Sequence, residues 1–203
     1  MSLKNSYVTS DYVEWDTMLA LIHKLYRNQE YRMSLLIGCG SFFGLRISDL
    51  LTLTWSMLLD SDSFIIIEKK TKKRREIKVN YGFQKHILDC YKKLNIKDKN
   101  EKCFISRKRT VYSVQRINNL FKEIKVKYNL KVEHFSTHSM RKTFGRKIVE
   151  ASKENSEFAL IKLAELFNHA DVQTTRRYLG LRSEELLEAY NLLSFYKKTI
   201  VFL

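Results

Sequence analysis

Apolar residues recur at helical spacing in one window after another along this chain, and that periodicity limits the fold more than any single motif. Asp11 to Arg27 carries Val13, Trp15, Leu19, Ile22 and Leu25 among polar residues, with Ser10 or Asp11 as candidate N-cap. Glu30 to Gly40 reads as a more apolar, central helix, after which Gly38, Gly40 and Gly44 are expected to loosen the backbone around residues 41–43. A short helix over Gly44–Leu51 places Ile47, Leu50 and Leu51 on its buried side, with Arg46 at its mouth and Asp49 on the same face. Further helices are expected over Tyr81–Leu94, Ser113–Tyr128, from Thr137 onward, over Phe158–Phe167, and after an Asp171 cap up to Gly180. Proline is absent from all 203 residues, where about 5% is usual, so one common helix breaker is missing.

Period-two alternation stands out in one place. Phe64–Ile67 is a β-branched run, Glu76–Val79 alternates, and six of the seven residues in Lys69–Arg75 between them are basic. This reads as a hairpin with a positively charged tip; Trp55 is expected to add a third strand, and Cys103–Ile105 a short extended piece. The fold class is therefore mainly α with a small antiparallel β-sheet (α+β). No repeat or Gly/Ser/Pro-rich linker divides the chain, so residues 1–203 are expected to form a single domain, with 1–10 as an N-terminal extension and 183–203 as a C-terminal tail helix.

A formal net charge of +15 exceeds what solubility requires and points to a polyanionic partner. A membrane surface fits less well, because no apolar run approaches spanning length and no signal pattern is present. The three cysteines, Cys39, Cys90 and Cys103, have neither disulfide nor zinc-site spacing. A reducing, cytoplasmic setting in association with DNA follows, with neither metal nor cofactor expected.

The chemistry concentrates between Thr137 and Gly180. His138 and Arg141 lie one helical turn apart, Asn168-His169 follows, and Tyr178 comes nine positions later. Two imidazoles can hydrogen-bond or move protons near neutral pH. A guanidinium can grip two non-bridging phosphate oxygens through its planar fork. A tyrosine hydroxyl can act as a nucleophile once a neighbour helps to remove its proton. Together these groups could attack a phosphodiester without a metal. Each alone has an ordinary explanation, as a solvated face, a packed ring or a surface Arg–Asp pair; their order along the chain has more weight.

That order resembles the tyrosine recombinases, the phage-integrase family, and their catalytic-domain fold. Gly44-Leu45-Arg46-Ile47-Ser48-Asp49-Leu50 is similar to the family's first arginine box. Lys70-Thr71 resembles the lysine of its β-hairpin, with Lys69 and Lys72 as neighbours in the same loop. Thr137-His138-Ser139-Met140-Arg141 resembles the second box, and Leu166–His169 followed by Thr174–Leu179 resembles the final histidine and nucleophile. Asn168 stands where the family usually has glycine, and Ile77–Asn80 lacks the customary proline.

The resemblance implies a site of Arg46, Lys70, His138, Arg141, His169 and Tyr178, with Lys69, Lys72, Lys73, Arg74 and Arg75 as DNA contacts. It implies strand cleavage through a 3′-phosphotyrosyl intermediate on double-stranded DNA, by a homo-oligomer (a tetrameric synapse) that could be monomeric without DNA. The tail would be exchanged between protomers. Most members also carry an N-terminal core-binding domain, and none is expected within these residues. A type IB topoisomerase-like enzyme, and a non-catalytic DNA-binding accessory protein, remain alternative readings.

Overall fold

The computed structural model describes residues 10–182 together with Glu184 and Leu187. The tail helix expected over 183–203 lies outside the described residues, those two apart. In chain order the elements are α1 (Trp15–Arg27), α2 (Tyr31–Phe43), α3 (Ile47–Leu50), α4 (Trp55–Leu59), β1 (Ser63–Ile67), β2 (Arg74–Lys78), α5 (Tyr81–Lys93), α6 (Val114–Lys127), α7 (Thr137–Ala151), α8 (Ser156–Phe167) and α9 (Val172–Leu179). They fall into two compact units, Met1–Ala151 and Ser152–Leu203. No described helix is long and apolar enough to cross a membrane.

The first unit is built around α2, which is apolar on all sides and therefore buried. Leu35, Leu36, Ile37 and Cys39 are inaccessible to solvent, and α2 packs against α1, α5 and α7. Gly40 lies within this helix rather than loosening it. A side chain there would run into Met140 of α7, so the missing Cβ lets the two helices close up. Helix α2 then ends at Gly44, whose φ of +58° is the left-handed cap conformation.

Gly44 is expected to tolerate no side chain. A non-glycine residue in that conformation costs roughly 1–2 kcal/mol, and a Cβ would also strike the ring of Phe144, adding about 1–3 kcal/mol of overpacking. Gly44→Ala should therefore lower the melting temperature by roughly 5–15 °C, measurable by circular dichroism. An unchanged transition would contradict this account of the turn.

The hairpin pairs β1 and β2 antiparallel, with Phe64 opposite Ile77 and Ile66 opposite Arg75. Phe64, Ile66 and Ile77 point inward, while Ile65 and Ile67 face out. The third strand expected at Trp55 is instead helix α4. Thr54 caps it by accepting from the Met57 amide at 3.4 Å, and the Trp55 ring is fully buried; packing overrides the strand preference of tryptophan. Asp11, expected as a helix cap, also has another task. Its carboxylate accepts from the amides of Glu133 and His134, both at 2.8 Å, while Thr143 of α7 bonds both the N–H and the C=O of Val13. The segment before α1 thus clamps the start of α7.

The second unit holds α8 and α9. Leu160, Leu163 and Phe167 bury one side of α8, and an ion pair between Arg176 and Glu157 ties α9 to it. Asp171 caps α9 through the Thr174 amide, and Gly180 closes it at φ +81°, as expected. Asn168 explains its own departure from glycine. Its φ is +52°, a left-handed conformation that asparagine visits more readily than most residues, and the next amide, His169, bonds back to Ala164 at 2.9 Å.

Candidate active site

In the first unit, two arginines are drawn together by the turn after α2. Arg46 is the residue before α3, and its guanidinium donates to the Glu68 carboxylate at 2.9 Å. Arg141, on α7 and only 4% exposed, donates Nη1 to the carbonyl of Gly44 at 2.5 Å. The left-handed turn at Gly44 presents that carbonyl, so a single backbone feature links the two boxes although 95 positions separate the arginines.

His138 sits one turn before Arg141. Partial desolvation, followed by the positive charges of Arg141, Lys142 and Arg46, holds its pKa below the ordinary value. The residue presents much of its surface to solvent, so the three like charges are the firmer part of that cause. Arg46 is thus one of the positive charges that act on His138. The surface Arg46–Asp49 pair is replaced by a different arrangement. Asp49 is buried, and its Oδ1 accepts from the Lys69 amide at 2.9 Å.

The basic loop divides by direction. Lys69, Lys70, Lys72, Lys73 and Arg74 are exposed, where their charges can meet phosphates. Arg75, expected as a DNA contact, turns inward instead. It donates to the Phe43 carbonyl at 2.7 Å and lies 3.5 Å from Glu68, with its side chain 11% exposed. The alternation of β2 explains this, because Arg75 falls on the same face as the buried Ile77. Sequence reasoning passed over Glu68, whose one signal was a lone acid at the head of a basic run.

In the second unit, His169 and Tyr178 are neighbours. Their ring centroids are 5.2 Å apart and edge-on, and the edge of Phe167 contacts both. Thr175, fully buried, holds His169 Nδ1 at 3.0 Å. Tyr178 lies in the last turn of α9 and is half-buried.

A model of the phage integrase family matches residues 12–185. The chain belongs to the phage integrase family. It is 30% identical over 165 residues to a probable integrase/recombinase, YoeC, of Bacillus subtilis, covering 80% of this chain and 85% of the relative. It is 27% identical over 170 residues to the tyrosine recombinase XerC of Caldanaerobacter subterraneus, covering 82% of this chain but 45% of that protein. The phage-integrase chain also matches the crystal structure of XerA recombinase with a TM-score of 0.68 at 20% identity, over 92% of this chain and 66% of that one. The Tn1549 transposon integrase, solved in complex with transposon right end DNA, matches with a TM-score of 0.66 at 16% identity, over 92% of this chain and 68% of that one. At such identities the likeness is one of fold, and the fold is that of the tyrosine recombinases. Both units fall largely within the matched stretch.

Proposed function

We propose that this chain is a site-specific DNA recombinase that cuts and rejoins strands through a 3′-phosphotyrosyl intermediate. The observation that carries the reading is the junction at Gly44, where Arg141 bonds the turn that precedes Arg46. Two guanidiniums from distant boxes thereby share one neighbourhood with His138. In the second unit, His169, just beyond the end of α8, and Tyr178, in the last turn of α9, stand side by side.

The chemistry then runs as a transesterification. Arg46 and Arg141 hold the non-bridging oxygens of the scissile phosphate and stabilise the charge that grows on them. Tyr178 Oη gives its proton to His138 and forms a bond to phosphorus. The bond from phosphorus to the 5′ oxygen breaks, and that oxygen takes a proton from Lys70. The Thr175 hydroxyl bonds His169 Nδ1; in the tautomer in which that hydroxyl donates, Nε2 carries the proton and can donate it to a phosphate oxygen. A 5′-hydroxyl from a partner strand reverses the steps. One phosphodiester replaces another, so the energy of the bond is conserved. Lys69, Lys72, Lys73 and Arg74 bind the DNA backbone. Exchange between two duplexes calls for several protomers on DNA, which we assign to a tetrameric synapse.

The depressed pKa of His138 fixes the sign of the pH dependence. Its imidazole is neutral at pH 7 and ready to accept a proton, so cleavage should be level above about pH 7 and fall as pH drops below the ordinary histidine value of about 6.5. In His138→Gln that acid limb should disappear from single-turnover rates. An unchanged limb would transfer the base role to another group.

The test of the function is a selection. A pool of random-sequence duplexes, each carrying a nick, is incubated with the protein in the presence of a chelator, and denaturant-resistant adducts are recovered and sequenced. The reading expects a related set of sequences joined to protein at a 3′ phosphate, with a 5′-hydroxyl released. No adduct, or attachment at a 5′ end, would contradict it.

A further inference from the structure

The exposed loop that carries Lys70 is fastened at both sides of that residue to the arginine box. On one side the Lys69 amide donates to Asp49 Oδ1 at 2.9 Å. On the other, the Thr71 hydroxyl donates to Glu68 Oε2 at 2.8 Å, the same oxygen that receives Arg46 Nη1 at 2.9 Å. Glu68 also closes the loop through its backbone, donating to the Lys73 carbonyl at 3.0 Å and accepting from the Lys72 amide at 2.8 Å. Its Oε1 faces Arg75 at 3.5 Å, and Arg75 in turn holds the end of α2 through the Phe43 carbonyl. Glu68 and Asp49 are 3% and 1% exposed, so neither reaches a substrate.

We propose that Glu68 is a positioning residue that sets Lys70 relative to Arg46, so that the proton donor and the phosphate clamp meet the same phosphodiester. The inference rests on the proposed function and goes beyond it, since Glu68 belongs to none of the reacting groups. The logic is geometric. Lys70 has a long, exposed side chain on a loop whose like charges repel one another. Left to itself, such a loop samples many arrangements, and a proton donor acts only within hydrogen-bond reach of its oxygen. One carboxylate oxygen shared between Thr71 and Arg46 removes that freedom with a single group. Burial alone would raise the Glu68 pKa; the Thr71 hydroxyl and the Arg46 and Arg75 guanidiniums outweigh it and lower the value, so the group stays ionised at neutral pH. Glutamine in its place has one accepting oxygen and no charge, and cannot serve both guanidiniums and the hydroxyl.

A leaving group that needs no proton separates this role from a merely structural one. The probe is a duplex recovered by the selection above, made with oxygen or with sulfur at the bridging 5′ position of the scissile phosphate. Sulfur departs as a thiolate without a proton donor. On the oxygen substrate, Glu68→Gln and Lys70→Ala should each cleave at least tenfold more slowly than the unaltered protein at saturating DNA. On the sulfur substrate both should come within about threefold of it. The inference is overturned if Glu68→Gln cleaves as fast as the unaltered protein or faster, which would make Glu68 a bystander or a competitor for Arg46. It is equally overturned if Glu68→Gln stays slow on sulfur while Lys70→Ala recovers, an outcome that leaves the proposed function standing. A Lys70→Ala defect that persists on sulfur removes Lys70 as proton donor and takes both readings of the loop with it. Should Glu68→Gln fail to fold, Thr71→Val removes the hydroxyl tether to Glu68, together with a long bond from the Lys73 amide at 3.4 Å, and should show the same recovery on sulfur; its absence there would count against the coupling in the same way.

Discussion

Arg141→Lys is expected to slow strand cleavage by about 10²–10³-fold, the range found when one preorganised donor to a developing oxyanion is lost. The substitution keeps the charge and discards the fork. Arg141 is almost fully buried, and one of its terminal nitrogens is committed to the Gly44 carbonyl. A guanidinium can keep that bond and still direct further N–H groups at a phosphate, because its donors are rigidly splayed in one plane. A lysine ammonium is a single point on a flexible stem. It either holds the carbonyl, leaving the phosphate, or reaches the phosphate and leaves a buried carbonyl unmet, at a cost of about 1–3 kcal/mol. The expected pattern is a large fall in single-turnover cleavage with DNA affinity changed only a few-fold, because the exposed loop cations keep most backbone contacts. Cleavage within threefold of the unaltered protein would remove Arg141 from the clamp.

Much of the fold was legible because its signals are local. The period of apolar residues located α1, α2, α5 to α9 and both strands to within a few residues. The caps at Asp171 and Gly180 are short-range chemistry that a sequence displays directly. Trp55 was misjudged because its strand preference is weaker than the burial that α4 gives it. Asp11 was misjudged because its partners, the amides of Glu133 and His134, lie more than a hundred positions away. In α5, Leu88 is 39% exposed while Cys90 is buried, a detail of phase that the apolar pattern of thirteen residues does not fix.

The candidate residues were named by their order along the chain, and order carries no information on direction. Arg75 shows the difference. It belongs to the same basic run as Lys72 and Arg74, yet strand alternation turns it inward to Glu68 and Phe43. Glu68 was invisible for the converse reason. Its importance arises from a meeting of Arg46, Thr71 and Arg75 that only the closed hairpin creates. Asn168 was flagged as an irregularity, and its left-handed φ shows it doing a glycine's conformational work beside His169.

The atom that takes the DNA decides the proposed chemistry most directly. Tyr178→Phe removes one oxygen and leaves a ring of nearly the same shape against His169 and Phe167, so folding and DNA binding should be retained while cleavage is lost entirely. Trypsin supplies the positive measurement, because Arg177 precedes Tyr178 and Arg182 follows four residues later. The adduct formed by the unaltered protein on a captured duplex is digested with nuclease and trypsin, and the peptides are mapped by mass spectrometry. The account expects the nucleotide remnant on the five-residue peptide 178–182, attached through a phosphate to the tyrosine oxygen, and no adduct from Tyr178→Phe. A remnant on any other peptide, or an adduct that survives the substitution, would contradict it.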